Sequence, residues 1–305
     1  MNRTTTRRNF LGATCAALAG ASLVPNSAIA VESFKRKGKP RLSLGLVAYS
    51  FRDSFNSKDA SKRITLFDFV DFCADQGCDG AEITTYYFPP DVDDDYLVKL
   101  KRHAFLRGIE LCGTAVGNNF ALPKGAKRDA EIASVKKWVE RSALLGAPHI
   151  RIFAGPKPND LTLAEASKLC IEAFEECADY AGRKGIFLGV ENHSGIATDA
   201  EQLIEMVRAV KSPWLGISLD SGNFQADDPY AAFKQCAPYA LNVQVKVALQ
   251  RRGKEKKEPA DLERLVGILR EANYQGYVSL EYEEKEDPFT EVPRWLGQLK
   301  KLLAA

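Results

Sequence analysis

Short apolar runs alternate with longer stretches of helical period along almost the whole chain. Runs at 42–48, 80–83, 109–114, 149–153, 186–190, 215–219, 241–247 and 277–282 read as strands. Helical periodicity fills 64–76, 91–107, 127–145, 162–184, 198–210, 229–236, 259–272 and 293–303. Gly77, Gly108, Gly146 and Gly185 stand where helices should stop, and Thr162-x-x-Glu165 and Thr198-x-x-Glu201 read as capping boxes where two should begin. Strands that alternate with helices pair in parallel. Eight such units in about 260 residues fit a single-domain α/β fold, the (β/α)8 TIM barrel. The first strand is followed by Tyr49-Ser50-Phe51-Arg52 rather than a glycine-rich turn, which argues against a doubly wound dinucleotide fold.

Four of the later strands stop at polar residues. Ile186 to Val190 meets Glu191, Asn192 and His193; Leu215 to Leu219 meets Asp220; Val243 and Val245 flank Gln244; Leu280 meets Glu281. In a parallel barrel the strand C-termini share one face, and that face carries the chemistry. Neighbouring carboxylates repel unless a proton or cation sits among them. Glu191, Asp220, Gln244 and Glu281 therefore read as an oxygen-rich shell for a divalent metal, Mn²⁺ or Mg²⁺ before Zn²⁺, which prefers nitrogen and sulfur. Around it, His193, Arg151, Lys246 and Tyr86 are candidate substrate contacts, and Glu82 at the end of strand two reads as support rather than ligand. The rings of Tyr49, Phe51, Tyr86, Tyr87 and Phe88 lie at the same mouth, where they suit a wall for a sugar face. His103, on a helix, and His149, at a strand start, read as structural.

Composition changes this picture little. Of 305 residues 45% are hydrophobic and 27% charged, which is ordinary for a globular chain. The net charge is +2, and residues 1–30 contribute Arg3, Arg7 and Arg8 with no acid, so the remainder sits at −1. A near-neutral body excludes nucleic acid as the main partner. Thr6-Arg7-Arg8-Asn9-Phe10-Leu11, the mild apolar stretch after it and Ala28-Ile29-Ala30 read as a twin-arginine export signal over 1–30, followed by a basic linker at 31–41 and the barrel at 42–305. That places the protein in the periplasm or outside the cell, with no stable membrane anchor. The six cysteines beyond residue 30 show no C-x-x-C spacing and read as small buried residues.

The chain resembles the xylose-isomerase-like barrels of the sugar isomerase and epimerase group over roughly 42–303. The resemblance is carried by Val190-Glu191-Asn192-His193-Ser194-Gly195, Leu219-Asp220-Ser221-Gly222-Asn223-Phe224, Val243-Gln244-Val245-Lys246 and Leu280-Glu281-Tyr282-Glu283. It implies that Glu191 and Glu281 are both metal ligands and the acid/base pair, with Asp220 a ligand and Asn223 at a substrate-contacting position. The sequence departs from the family at Gln244, where histidine is usual, and at Asn223, where the epimerases also have histidine.

Together these residues lead to a metal-dependent isomerase or epimerase of a small carbohydrate. One glutamate would remove a proton next to a carbonyl, and return of the proton to the other face or to the neighbouring carbon gives an epimer or an isomer. A lyase or dehydratase acting on a keto-sugar or 3-keto-glycoside shares the first step. A non-catalytic saccharide binder with a decayed metal site is the rival from another class. An exported enzyme points to a non-phosphorylated substrate, and an association of like chains is compatible with the sequence.

Overall fold

Each apolar run becomes a strand of one closed barrel in a computed structural model that describes residues 31–305. The strands are β1 (Arg41–Val47), β2 (Gly80–Thr84), β3 (Glu110–Ala115), β4 (His149–Ile152), β5 (Phe187–Glu191), β6 (Leu215–Asp220), β7 (Ala240–Lys246) and β8 (Gln275–Glu281). Their order round the barrel is β1-β8-β7-β6-β5-β4-β3-β2, and every pairing is parallel. The helices are α1 (Leu66–Asp75), α2 (Asp94–Leu106), α3 (Ala126–Leu145), α4 (Leu163–Gly182), α5 (Ala200–Ala209), α6 (Pro229–Cys236), α7 (Leu262–Glu271) and α8 (Pro288–Ala304). The expected single-domain (β/α)8 barrel is the observed one.

The strands are buried on both faces because the helices cover one and the barrel interior takes the other. Leu188, Val190, Ile217, Leu219, Val243, Val245, Val278 and Leu280 build this wall, and all are fully buried. The helices lay an apolar stripe on it; in α7 Leu262, Leu265, Val266 and Leu269 share the stripe. The alternate residues of β5 to β8 point inward, so polar side chains on these strands have no solvent and must find one another.

Several boundaries differ from the sequence reading, and three of them have a clear physical reason. Thr162 does form the capping box with Glu165, but Thr198 does not cap α5. Its hydroxyl donates to the Gly195 carbonyl, and Asp199 caps instead by accepting from the Gln202 amide at 3.1 Å. A carboxylate one residue nearer the helix is the stronger acceptor for its free N–H groups. The last helix begins five residues before Pro293, with Asp287 as cap and Pro288 in the first turn. Arg41 belongs to β1, and residues 31–40, though without helix or strand, are tied down. Val31 donates to Val210 and is buried, and Phe34 donates to Pro238.

The described cysteines, Cys73, Cys78, Cys112, Cys170, Cys177 and Cys236, are all buried and unbridged. His103 meets Asp71 at 2.9 Å on the outside of the barrel. His149 is buried against Gly113, where a Cβ would lie 2.0 Å from the imidazole, and burial lowers its pKa to about 4. Both have the structural roles expected of them. No helix among the described residues is long and apolar enough to cross a membrane. The proposed export signal lies outside the described residues.

Candidate active site

The strand register sets the geometry of the barrel mouth. Glu191, Asp220 and Glu281 are the last residues of β5, β6 and β8. Strand β7 runs two residues past Gln244, so its terminal side chain is Lys246, which pairs with Glu281 while Gln244 pairs with Asp220. The end of this strand is thus a lysine and not the expected glutamine. The correction matters because it brings a cation level with the carboxylates.

Lys246 is 8% exposed and its ammonium lies among three of them. Nζ is 3.1 Å from Asp220 Oδ2, 3.5 Å from Glu281 Oε2 and 2.9 Å from Glu283 Oε2, and it donates to Asn223 Oδ1 at 3.0 Å. Glu191 has a different set of partners. Arg151 Nε reaches its Oε2 at 2.8 Å, and Asn223 Nδ2 donates to its Oε1 at 2.8 Å. Asn223 therefore links the two halves of the cluster through its own amide. Arg151 is held in turn by the Val116 carbonyl at 2.9 Å, by the Tyr86 hydroxyl at 3.5 Å and by the face of Phe153 at 3.9 Å.

Asp220 is fixed through its backbone. Asn192 donates to the Asp220 carbonyl and accepts from the Asp220 amide, both at 2.8 Å, and Gly222 donates to Oδ1. Gly195, after His193, has φ +91° and packs so close to Gly155 that a Cβ would meet its carbonyl oxygen at 2.5 Å. This turn seats the β5 loop against the β4 loop. His193 stacks obliquely on Phe153, 4.6 Å between centroids, and burial first, then Arg151 and Lys246, lower its pKa. It lines a polar cleft of about 380 Å³ with Asn223, Gln225, Gln250, Arg251 and Arg252. Asn223 belongs to both, so the cleft opens onto the charged cluster.

The charges do not balance. Four carboxylates, Glu191, Asp220, Glu281 and Glu283, face two cations, Arg151 and Lys246. Fully ionised, the cluster holds an excess of two negative charges in a desolvated place, which is costly. Burial raises Glu191 to about 7, against the opposing pull of Arg151. Burial also raises Glu281 well above the ordinary carboxylate range, against Lys246 and with help from Asp220. Glu283 is desolvated too, but Lys246 outweighs this and leaves it lowered. The same carboxylates outweigh desolvation at Lys246 and hold its ammonium charged. Both Glu191 and Glu281 are thus held above the ordinary carboxylate range, the condition under which a carboxyl can give up and take back a proton.

The donor set bears on a divalent ion in two ways. Gln244 Oε1 is buried and accepts no hydrogen bond, and Asp220, paired with Gln244 across β6 and β7, offers a buried Oδ2 whose one partner is the Lys246 ammonium at 3.1 Å. One free amide oxygen and two surplus charges suit an oxygen-ligated cation. Among the described residues no three His, Cys, Asp or Glu side chains surround one point; the ammonium of Lys246 stands between Asp220 and Glu281. The amide nitrogen of Gln244 is turned away, donating to Glu82 Oε1 at 2.6 Å.

The barrel is shared with known proteins. Residues 70–299 match the family model described as xylose isomerase-like TIM barrel. The chain belongs to that family. Similar solved structures include a D-psicose 3-epimerase in the presence of D-fructose, at 18% identity and TM-score 0.68, covering 86% of this chain and 97% of that one. The 3-keto-D-glucoside 4-epimerase YcjR of E. coli has 16% identity and TM-score 0.65, covering 86% and 100%. An IolI protein with a bound zinc atom has 19% identity and TM-score 0.67, covering 85% and 96%. At these identities the likeness is one of fold. No curated protein matches the sequence.

One expectation changes and two residues are new. Of the aromatic wall, Tyr86 touches Arg151 and Tyr49 lies near Glu281 and Glu283. Phe51 packs with Phe69, Phe72 and Phe289, Tyr87 stacks on Phe55 at 4.1 Å, and Phe88 packs on Trp138. Tyr49 lies against Arg52 and also near the cluster, where burial first and then the charge of Glu283 raise its pKa. Phe153, unremarked in the sequence, supplies the ring under Arg151 and His193. Glu283 was also missed as a site residue. It lies two residues past Glu281, the spacing that keeps side chains on one face of a strand, which is the signal that could have found it.

Proposed function

We propose that this barrel is a carbohydrate epimerase or isomerase in which Glu191 and Glu281 move a proton to and from a carbon next to a carbonyl. The observation that carries the reading is the pair itself: two buried glutamates on non-adjacent strands of one mouth, each beside its own cation and each raised above the ordinary carboxylate range by burial. One ionised and one protonated carboxyl can act on the two faces of a substrate lying between them. Arg151 and Asn223 orient Glu191, and Lys246 orients Glu281. Lys246 also offers a donor to an oxyanion that develops near it, which a buried ammonium stabilises more strongly than water would. Tyr86 and His193 border the place where the rest of a sugar would lie.

Glu191, Asp220, Gln244 and Glu281 are the residues that would hold a divalent ion, with Mn²⁺ or Mg²⁺ favoured by an all-oxygen set. Such an ion, when bound, polarises a carbonyl as a Lewis acid. It would compete with the Lys246 ammonium for Asp220 and Glu281. The non-phosphorylated substrate and the periplasmic setting rest on the N-terminal arginine pair, and are tested by cell fractionation of wild type and of an Arg7→Lys, Arg8→Lys variant.

The reaction is tested by incubating the protein in D₂O with a panel of ketoses and 3-keto-glycosides, with and without Mn²⁺, and reading the products by NMR. Solvent deuterium at the carbon beside the carbonyl, with the skeleton and its substituents retained, is the expected result. Release of an aglycone or an unsaturated keto-sugar would replace the epimerase reading with elimination. Absence of deuterium from every substrate, with saccharide binding intact, would replace it with a binding function.

A further inference from the structure

Below the charged cluster lies a second buried carboxylate that the proposed reaction does not use. Glu82, on β2, is completely buried. Its Oε2 accepts from Asn242 Nδ2 at 2.8 Å and its Oε1 from Gln244 Nε2 at 2.6 Å. Asn242 and Gln244 alternate along the inner face of β7 with Lys246 next in line. Glu82 is thus joined to the mouth through one strand.

We propose that Glu82 is a positioning residue that fixes which end of the Gln244 amide faces the site. Hydrogen-bond inventory decides the orientation. An ionised carboxylate only accepts, whereas a glutamine amide has one end that donates and one that accepts. Burial raises the Glu82 pKa and the amide donors of Asn242 and Gln244 oppose that rise; with both its oxygens accepting from amide N–H groups, Glu82 tolerates only the nitrogen end, since the reversed amide would set two buried acceptors against each other. The oxygen is therefore directed away from Glu82, and Gln244 Oε1 is indeed a buried atom that accepts no hydrogen bond. Asn242 completes the lock by occupying the other carboxylate oxygen. With both Glu82 oxygens engaged by amides, neither amide is displaced by the other.

The consequence concerns Gln244 as an oxygen donor at the mouth. Imidazole presents a nitrogen lone pair when its other N–H is held by a carboxylate, carbonyl or water. Glutamine needs a comparable device, because an unanchored amide can offer N–H groups to the carboxylates of Glu191, Asp220 and Glu281 and so cease to be a ligand. Glu82 supplies the device from the opposite part of the barrel. This rests on the reading of Gln244 as an oxygen donor to a divalent ion; the orientation of its amide does not.

The test pairs two measurements. Mn²⁺ binding is titrated by calorimetry for wild type, Glu82→Gln, Gln244→Ala and the double variant. Glu82→Gln keeps the volume but gives Gln244 a mixed donor and acceptor in place of a carboxylate. It should weaken Mn²⁺ binding roughly 10–100-fold, the usual cost of losing a support of this kind. On the Gln244→Ala background it should cost nothing further. Unchanged affinity in Glu82→Gln, or an equal loss without Gln244, would overturn the proposal.

The second measurement needs no metal and no folded variant. In ¹⁵N-labelled wild type the Gln244 side-chain NH₂ protons should be shifted downfield and exchange slowly with solvent. Fast exchange in the metal-free protein would overturn the positioning role. Slow exchange in a protein that binds no Mn²⁺ would leave the positioning role standing and defeat the metal reading of the site.

Discussion

The two halves of the barrel bury polar groups in different ways. Strands β1 to β4 contribute few ionisable side chains to the interior, chiefly Glu82 and Arg151, and each is closely partnered. The loops of this half are closed by packed rings, with Phe51 among Phe69, Phe72 and Phe289. Strands β5 to β8 end in Glu191, Asp220, Lys246 and Glu281, whose charges do not cancel and two of whose carboxyls are pushed up by burial. One half stabilises the barrel; the other stores unfavourable electrostatics at its mouth. Buried charge of that kind is weak as a source of stability and well suited to proton transfer.

The largest expected effect separates the halves by activity. Glu191→Gln or Glu281→Gln should lower kcat roughly 10²–10⁴-fold, the usual contribution of a general acid or base, with the melting temperature unchanged or raised. In the other half, Phe51→Ala should lower stability by about 3–5 kcal/mol in denaturant titration, as loss of a buried aromatic ring does, while the folded fraction keeps its kcat. A Phe51 variant that folds normally but loses turnover would erase the distinction between the halves.

Lys246 is the next most informative position. Lys246→Met leaves Asp220 and Glu281 without their cation, and breaking a buried pair from one side costs about 3–5 kcal/mol. Millimolar Mn²⁺ should restore much of that loss, because ion and ammonium draw on the same oxygens, and thermal melts with and without the ion check it. A metal-free variant as stable as wild type would show that the ammonium is not what balances the cluster.

The pH dependence is smaller and has a defined sign. Glu191 is raised by burial to about 7, above the roughly 4.3 of an unfolded glutamate. A carboxyl raised in the folded state favours folding fully below its unfolded value and loses that contribution as pH rises through the folded one. The metal-free protein should therefore become less stable between about pH 4.3 and about pH 7, and Glu191→Gln should flatten the curve. Stability rising across that window would contradict the desolvated site. The smallest effect belongs to the first half's one exposed contribution. Tyr86→Phe removes a hydroxyl 3.5 Å from Arg151 and should change stability by less than about 0.5 kcal/mol, with any change confined to KM.

Much of this was legible in the sequence because alternation of strand and helix follows from local periodicity. Glu191, Asp220 and Glu281 stand out for the same reason: each interrupts an apolar run where a barrel puts its mouth. Lys246 and Asn223 were visible as candidates, but their partners were not, since an ion pair between β7 and β8 depends on register rather than on spacing. The lock between Glu82 and Gln244 joins residues 162 positions apart and could not be read from either segment alone. Side-chain direction also escaped the sequence: Tyr86, Tyr87 and Phe88 are consecutive, yet one faces Arg151 and the others pack beneath the loops.

The central claim is that Glu191 and Glu281 serve opposite faces of one carbon. It is tested most directly by following deuterium wash-in from D₂O for both epimers of a turned-over substrate with wild type, Glu191→Gln, Glu281→Gln and the double variant. The account predicts exchange of both epimers by wild type, of one epimer by Glu191→Gln, of the other by Glu281→Gln, and of neither by the double variant. Exchange of both epimers by either single variant, or turnover by wild type with no deuterium incorporated, would contradict it.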